Sequence, residues 1–284
     1  TRSGGPLPDP PFIVPDISVA AVHRFTQGDL DVEVHKVPGG ESPDSVIVRL
    51  PRRGTVFTGN LFGPVFGAIP NLITLRGDKP RSISQYLDSV RYVIDLEPEL
   101  LITGHGDPVR GKAEIRAALE TMHRAMSRID EAVIEGMNAG KTVHELMREI
   151  EWPAGDALPE YHGKLPWVVR GIWEGYAGWM HYEDGTTMLY GVPRRAVDTD
   201  LVELAGGADA LAERAQTYLD KGQPLEAIHL TDIALNAQHD HRASLQARKR
   251  AHEMLLERSG GVNLSETMWL KAEIAAMDQV LGQN

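Results

Sequence analysis

The sequence predicts an α/β protein: a strand meander running into a helix, then an all-helical remainder. Three observations predict it. Short apolar runs, separated by Gly- and Pro-bearing turns, crowd residues 17–59. Apolar residues spaced by three and four take over from Ser82. Beyond residue 200 the chain turns Ala- and Leu-rich, with Gly222-Gln223-Pro224 and Gly260-Gly261 as breaks.

Taken in order, Ile17–Val22 reads as a short strand and Gln27-Gly28-Asp29 as a turn. Leu30–His35 alternates apolar and polar residues and predicts a half-buried strand. Ser45–Leu50 is the next strand, Pro51–Gly54 a turn, and Thr55–Gly59 a buried strand. Residues 61–80 carry Gly, Pro, Phe62, Val65, Phe66 and Ile69. They suit a loop walling a pocket and equally suit ordinary loop packing.

Ser82–Leu96 has helical spacing at Ile83, Leu87, Val90, Val93 and Ile94, and Pro98 stops it. Leu100–Thr103 is a short buried strand that delivers Gly104-His105-Gly106. A long helix is expected over 111–139, with Ile115, Leu119, Met122, Met126, Ile129 and Val133 on its buried face. Thr142 and Glu145 have the spacing of a capping box and open a shorter helix. Residues 151–192 gather four of the five Trp and four of the seven Tyr and suit core, interface or substrate wall. Four helices follow, at about 207–221, 223–236, 241–258 and 264–281. His239-Asp240-His241 falls between two of them, where a helix cap explains it better than a metal site does. His123 and His144 are read as packing or surface residues.

The chain has 284 residues, 42% apolar and 24% charged, which suits a soluble globular protein. A net charge of −11 argues against nucleic acid or an anionic membrane as main partner. The lack of cysteine excludes disulfides and Cys-based zinc sites. It points to a cytoplasmic setting and is compatible with a periplasmic one. No stretch reaches the length of a membrane-spanning helix. Residues 1–11, dense in Pro and Gly and opening on Thr, read as linker. The chain is therefore expected to begin inside a longer translation product.

Three segments carry chemistry: Val34–Ser45 with its Pro38-Gly39-Gly40-Glu41 turn, Phe57-Thr58-Gly59-Asn60, and Leu101-Ile102-Thr103-Gly104-His105-Gly106-Asp107. Each joins a strand-like run to Gly beside a side chain able to bind a metal. Distant segments meeting this way are how folds assemble metal sites.

This order resembles the second half of a metallo-β-lactamase-fold hydrolase. Glu41, Thr74-Leu75-Arg76-Gly77, Tyr161-His162-Gly163 and the Trp173–Trp179 aromatic stretch resemble the alkyl sulfatase branch. The resemblance implies half of an αββα sandwich followed by an all-α dimerisation domain. The expected division is linker 1–20, sandwich half 21–110 and helical domain 111–284. It further implies that Glu41, Asn60 and His105 are metal ligands in a site for two zinc ions. Arg76 and Tyr176 would grip the anionic end of a hydrophobic ester substrate, with a sulfate ester the first expectation. The chain departs from the family in two ways. It lacks the His-x-His-x-Asp-His run, so the N-terminal half of the fold is expected from a separate chain or cleaved half. Asn60 stands where the family has a carboxylate, and a neutral amide is a poor ligand. A homodimer through the helical domain is expected. Two alternatives remain: a lactonase, thioesterase or carboxylic ester hydrolase on the same fold, and a non-catalytic assembly protein with a decayed site.

Overall fold

The computed structural model describes residues 14–40, 42–75, 77 and 81–282. Strands β1 (Val22–Gln27), β2 (Leu30–Lys36), β3 (Val46–Leu50) and β4 (Thr55–Gly59) form an antiparallel meander. Helix α1 (Ile83–Asp95) then crosses over to β5 (Leu100–Thr103), which pairs parallel to β4. Two-residue β6 (Val109–Arg110) completes a six-stranded sheet in sequential order. The first strand lies further along than the 17–22 run suggested. Gln27 pairs with Leu30, leaving Gly28-Asp29 as a two-residue hairpin turn with Gly28 at φ +61°. That turn fixes the register, so the strand is 22–27.

Helices cover one face of the sheet. Ser82 caps α1, its Oγ accepting the Gln85 amide at 3.3 Å. Val90, Val93 and Ile94 of α1 pack with Ile115 and Leu119 of α2 (Lys112–Asn138) and with Ile47, Val56 and Leu101 of the sheet. These sheet residues share the covered face, because side chains alternate along each strand. The opposite face is also apolar. Val34, Val48, Phe57 and Ile102 are cross-strand partners in one row, with Phe25–Val32 and Val46 beside it. Phe25, Val46 and Phe57 are exposed there. An antiparallel sheet with one wet face normally turns polar residues outward, so this face departs from the usual pattern.

α3 (Val143–Glu149) carries the expected capping box: Thr142 Oγ1 accepts the Glu145 amide at 3.3 Å, and Glu145 accepts the Thr142 amide at 2.8 Å. α4 (Leu165–Ala177) opens at Pro166 and buries Leu165, Val168, Val169 and Ile172. Those positions have helical spacing, but the dense aromatics around them obscured it in the sequence. The four predicted C-terminal helices appear as α6 (Ala208–Asp220), α7 (Pro224–Ala237), α8 (Arg242–Ser259) and α9 (Leu264–Gly282), preceded by short α5 (Asp198–Leu204). Ala215, Leu219, Ala227, Ala247 and Ala251 form a second, small core. His241 is the N-cap of α8: Nδ1 accepts the Ser244 amide at 3.3 Å, and Nε2 faces Asp209 at 3.1 Å. The His239-Asp240-His241 segment is thus a cap and loop. Among the described residues no helix is long and apolar enough to cross a membrane.

Asp156 fastens the loop before α4 to α2. Its buried carboxylate takes Arg124 at 2.7 Å and Arg128 at 3.0 Å. The Arg124 hydrogen bond holds its pKa below the ordinary carboxylate value. A depressed carboxylate stabilises the fold above its unfolded pKa, and that contribution is lost as pH falls through the folded value. Asp156→Ala is therefore expected to lower the thermal midpoint at pH 7. The gap to wild type should close below about pH 4. A gap independent of pH in a scanning-calorimetry series would contradict the ion-pair account.

Candidate functional site at the ends of the parallel strands

β4 and β5 are parallel neighbours, with Gly59 opposite Thr103. Both therefore end on the same side, and the residues that follow, Asn60 and His105, emerge together. Parallel strands commonly place ligand sites at their carboxyl ends. The two loops touch. The Gly104 amide donates to the Gly59 carbonyl at 2.8 Å. A Cβ on Gly104 would sit 2.0 Å from Asn60 Oδ1. A side chain at Gly104 would therefore have to displace the Asn60 amide, and Gly104 is not needed for an unusual φ.

The first motif converges on the same place. The Gly39 amide donates to Ser89 Oγ of α1 at 3.1 Å, and a Cβ there would fall 2.1 Å from the Gln85 carbonyl oxygen. Gly40 packs against Leu61, and Gly40 and Asn60 line one narrow cleft with Asn71 and Arg81. Glu41 itself, like Arg76, lies outside the described residues.

Asn60 and His105 line a larger cavity of about 580 Å³, a typical size for a small-molecule site. Its polar side adds Asn71, Thr74 and His162; its apolar side is Pro64, Leu75 and the α9 residues Leu264, Met268, Trp269 and Ala272. α9 reaches the cavity because its start is tied to the 160–164 turn. Asn263 Nδ2 donates to the Glu160 and Gly163 carbonyls at 2.9 Å each, and its Oδ1 accepts the Glu266 amide. The Leu264 amide donates to the Tyr161 carbonyl at 2.8 Å, and Lys164 pairs with Glu266 at 2.9 Å. The turn packs in its own right on the 61–74 loop, with the Ile69 amide donating to the Pro159 carbonyl.

The 61–80 loop does wall the cavity, through Pro64, Asn71, Thr74 and Leu75, but not through the large apolar residues that suggested it. Phe62 and Ile69 are 1% and 2% exposed and belong to the main core. Neither they nor Val65 and Phe66 line the cavity; its apolar lining is Pro64 and Leu75 of the loop together with α9. Tyr176 is not brought to the cavity either. It lines a separate depression with Arg81, Ser82 and Gly171. Its hydroxyl donates to Asp130 at 3.1 Å. Burial raises the Asp130 pKa, and the Tyr176 hydrogen bond opposes that rise. Arg81 lines both this depression and the cleft beside Asn60, and sequence reasoning did not single it out. His162 was legible only as part of a family motif; Met268 and Trp269 gave no signal, being ordinary apolar positions of a predicted helix.

His35 is buried, with Nδ1 2.7 Å from the Tyr92 hydroxyl and Nε2 3.1 Å from Glu33; burial lowers its pKa.

The donors can be tested against a metal. His105 is exposed on the cavity wall, and its imidazole has no hydrogen-bond partner among the described residues. Asn60 offers a neutral amide. Among the described residues no three His, Cys, Asp or Glu side chains cluster so as to hold a metal. The described residues do not by themselves compose a metal centre.

An α/β sheet with a loop-built cavity at its strand ends, roofed by a following helical domain, is the class of protein this architecture defines. Comparison with known proteins narrows it. Residues 142–272 match the family described as alkyl sulfatase dimerisation. A linear primary-alkylsulfatase of a Pseudomonas species is 27% identical over 258 residues, which cover 89% of this chain and 48% of that protein. An alkyl/aryl-sulfatase of Saccharomyces cerevisiae is 26% identical, over 75% of this chain and 33% of its own. A solved double mutant of the sec-alkyl sulfatase PisA1 superposes with a TM-score of 0.81 at 22% identity, covering 95% of this chain and 42% of that one. The chain thus resembles part of an alkyl sulfatase, dimerisation domain included, and shares its fold. It spans between a third and a half of the length of these curated relatives.

The contact between Gly104 and Asn60 is testable as a coupling. Gly104→Ala is expected to destabilise by roughly 1–3 kcal/mol, the usual cost of overpacking. Asn60→Ala should relieve most of that cost in the double variant, because the clashing atom is gone. Additive effects in urea unfolding of the two single variants and the double would contradict the packing.

Proposed function

We propose that this chain forms one half of a metal-dependent hydrolase that cleaves a sulfate ester, or a related ester, of a hydrophobic alcohol. The observation that carries the reading is the shared cavity. Asn60 and His105, taken from two separate motifs, line it with other polar groups, and Pro64, Leu75 and the α9 side chains add apolar lining. An ester with a charged head and an apolar tail matches that division. The similarity to alkylsulfatases supports the same substrate class.

His105 is the residue that would hold a divalent cation, with Glu41 as second donor and Asn60 as a weak or outer partner. A cation bound there would supply an activated water and neutralise charge on the leaving oxygen. The rest of the donor set would come from the other half of the fold. The uncovered apolar face through Val34, Val48, Phe57 and Ile102 supports this: it is the surface a second sheet would bury. Arg76 and Tyr176 are proposed to hold the anionic head. Tyr176 would have to exchange its Asp130 hydrogen bond to do so. The zinc identity and the pair of ions follow from the family resemblance. A lactonase, thioesterase or carboxylic ester hydrolase would use the same cavity. We also propose a homodimer through the helical domain, since Trp179, Leu189, Tyr190, Val192, Leu201 and Leu204 leave apolar surface exposed within 179–204.

The test is sulfate release from decyl sulfate by the native assembly, any companion polypeptide retained. His105→Ala and Glu41→Ala are each expected to remove bound metal. Each should lower turnover by more than the roughly 10- to 100-fold typical of an outer-sphere partner. Turnover of decyl acetate or a lactone in place of the sulfate would favour the alternative hydrolases; absence of metal and of all turnover would favour the assembly protein. Phe57→Lys is expected to release the companion half, read by native mass spectrometry. Leu204→Glu is expected to shift the dimer toward monomer in light scattering, and an unchanged mass would contradict that surface.

A further inference from the structure

We infer that the first turns of α9 are the binding surface for the aliphatic end of the substrate and set the chain length the protein accepts. This rests on the reading of the cavity as a site for an ester of an apolar alcohol. Leu264, Met268, Trp269 and Ala272 fall at i, i+4, i+5 and i+8, one side of the helix, and all four line the cavity. Met268 is 63% exposed and Trp269 50%, and Leu264 is exposed as well. Large apolar side chains left in solvent along one helical stripe mark a binding surface more often than a free one. Of α9 only Leu270 and Met277 are buried, so the stripe is additional to the residues that anchor the helix.

The stripe is held in place relative to the polar wall. Asn263 and the Leu264 amide tie the start of α9 to the turn that carries His162, and Lys164–Glu266 braces the next residues. A head group at Asn60 and His105 would therefore point its tail along a fixed apolar track. Trp269 offers a rigid face, and Met268 a flexible one that accommodates tails of different shape. Leu75, also exposed, closes the track from the 71–75 loop.

The probes are hexyl, octyl and decyl sulfonates, which keep the charged head and resist hydrolysis. They are titrated calorimetrically, below micelle formation, into the native assembly. Wild-type affinity is expected to tighten about fourfold per added methylene. Met268→Ser combined with Trp269→Ser should weaken decyl binding by at least about tenfold and hexyl binding by less than about twofold. Both side chains are exposed, so the fold should tolerate the change. Ala272→Trp, a second and opposite change, should block decyl and spare hexyl. An unchanged gradient in both variants would overturn the proposal. So would failure of decyl sulfonate to bind the wild type, or a double variant that changes only oligomeric state. Sulfonates that bind with the expected gradient, where decyl sulfate is not hydrolysed, would instead remove the sulfatase reading and leave the tail surface standing.

Discussion

The site depends on the parallel pairing of β4 with β5. The other strand pairs in the sheet are antiparallel and turn back on themselves. Here alone, among the described strands, a helix crossover lets two neighbours end on one side, so Asn60 and His105 leave the sheet together. The loops then close on each other: the Gly104 amide donates to the Gly59 carbonyl at 2.8 Å, and the Asn60 amide packs against Gly104 where a Cβ would crowd it. Without that contact the two motifs would be separate turns. With it they become one wall.

The helical part completes that wall. Asn263 works at both ends: its Nδ2 holds the 160–164 turn, and its Oδ1 caps α9. Burial of that side chain means its hydrogen bonds must all be made internally, which makes the junction specific in geometry. The fold thus divides labour between its parts. Strand-end loops offer polar groups; α9 offers apolar surface; the turn at His162 joins them. The exposed apolar face of the sheet shows the same logic from the other direction. Phe25, Val46 and Phe57 stay exposed there, while the other face is buried under the helices.

Much of this was legible in the sequence. Two-residue alternation in Leu30–His35 and 3–4 spacing in Ile115–Val133 reported their elements directly, because burial imposes those periods. The Thr142–Glu145 box did so through hydrogen bonding. The convergence of Asn60 and His105 was legible through the glycines beside them. Other features were not. The strand at 22–27 was not, although the Gln27-Gly28-Asp29 turn that fixes it was: its largely exposed residues carry no two-residue alternation. Phe62 and Ile69 looked like pocket lining, yet nothing local distinguishes an apolar loop residue that faces the core from one that faces a cavity. Trp269 and Met268 reach the site only because a junction more than a hundred residues from Glu160 and Tyr161 brings α9 there, and long-range packing leaves no periodic trace.

The central claim is that the Asn60–His105 cavity, roofed by α9, is where substrate binds. Backbone amide shifts on titrating decyl sulfonate into isotope-labelled native protein test it most directly. The account predicts perturbations confined to Gly104–Gly106, Tyr161–Gly163 and the first turns of α9. Shifts centred instead on the Tyr176–Arg81 depression, with those three segments unmoved, would contradict it.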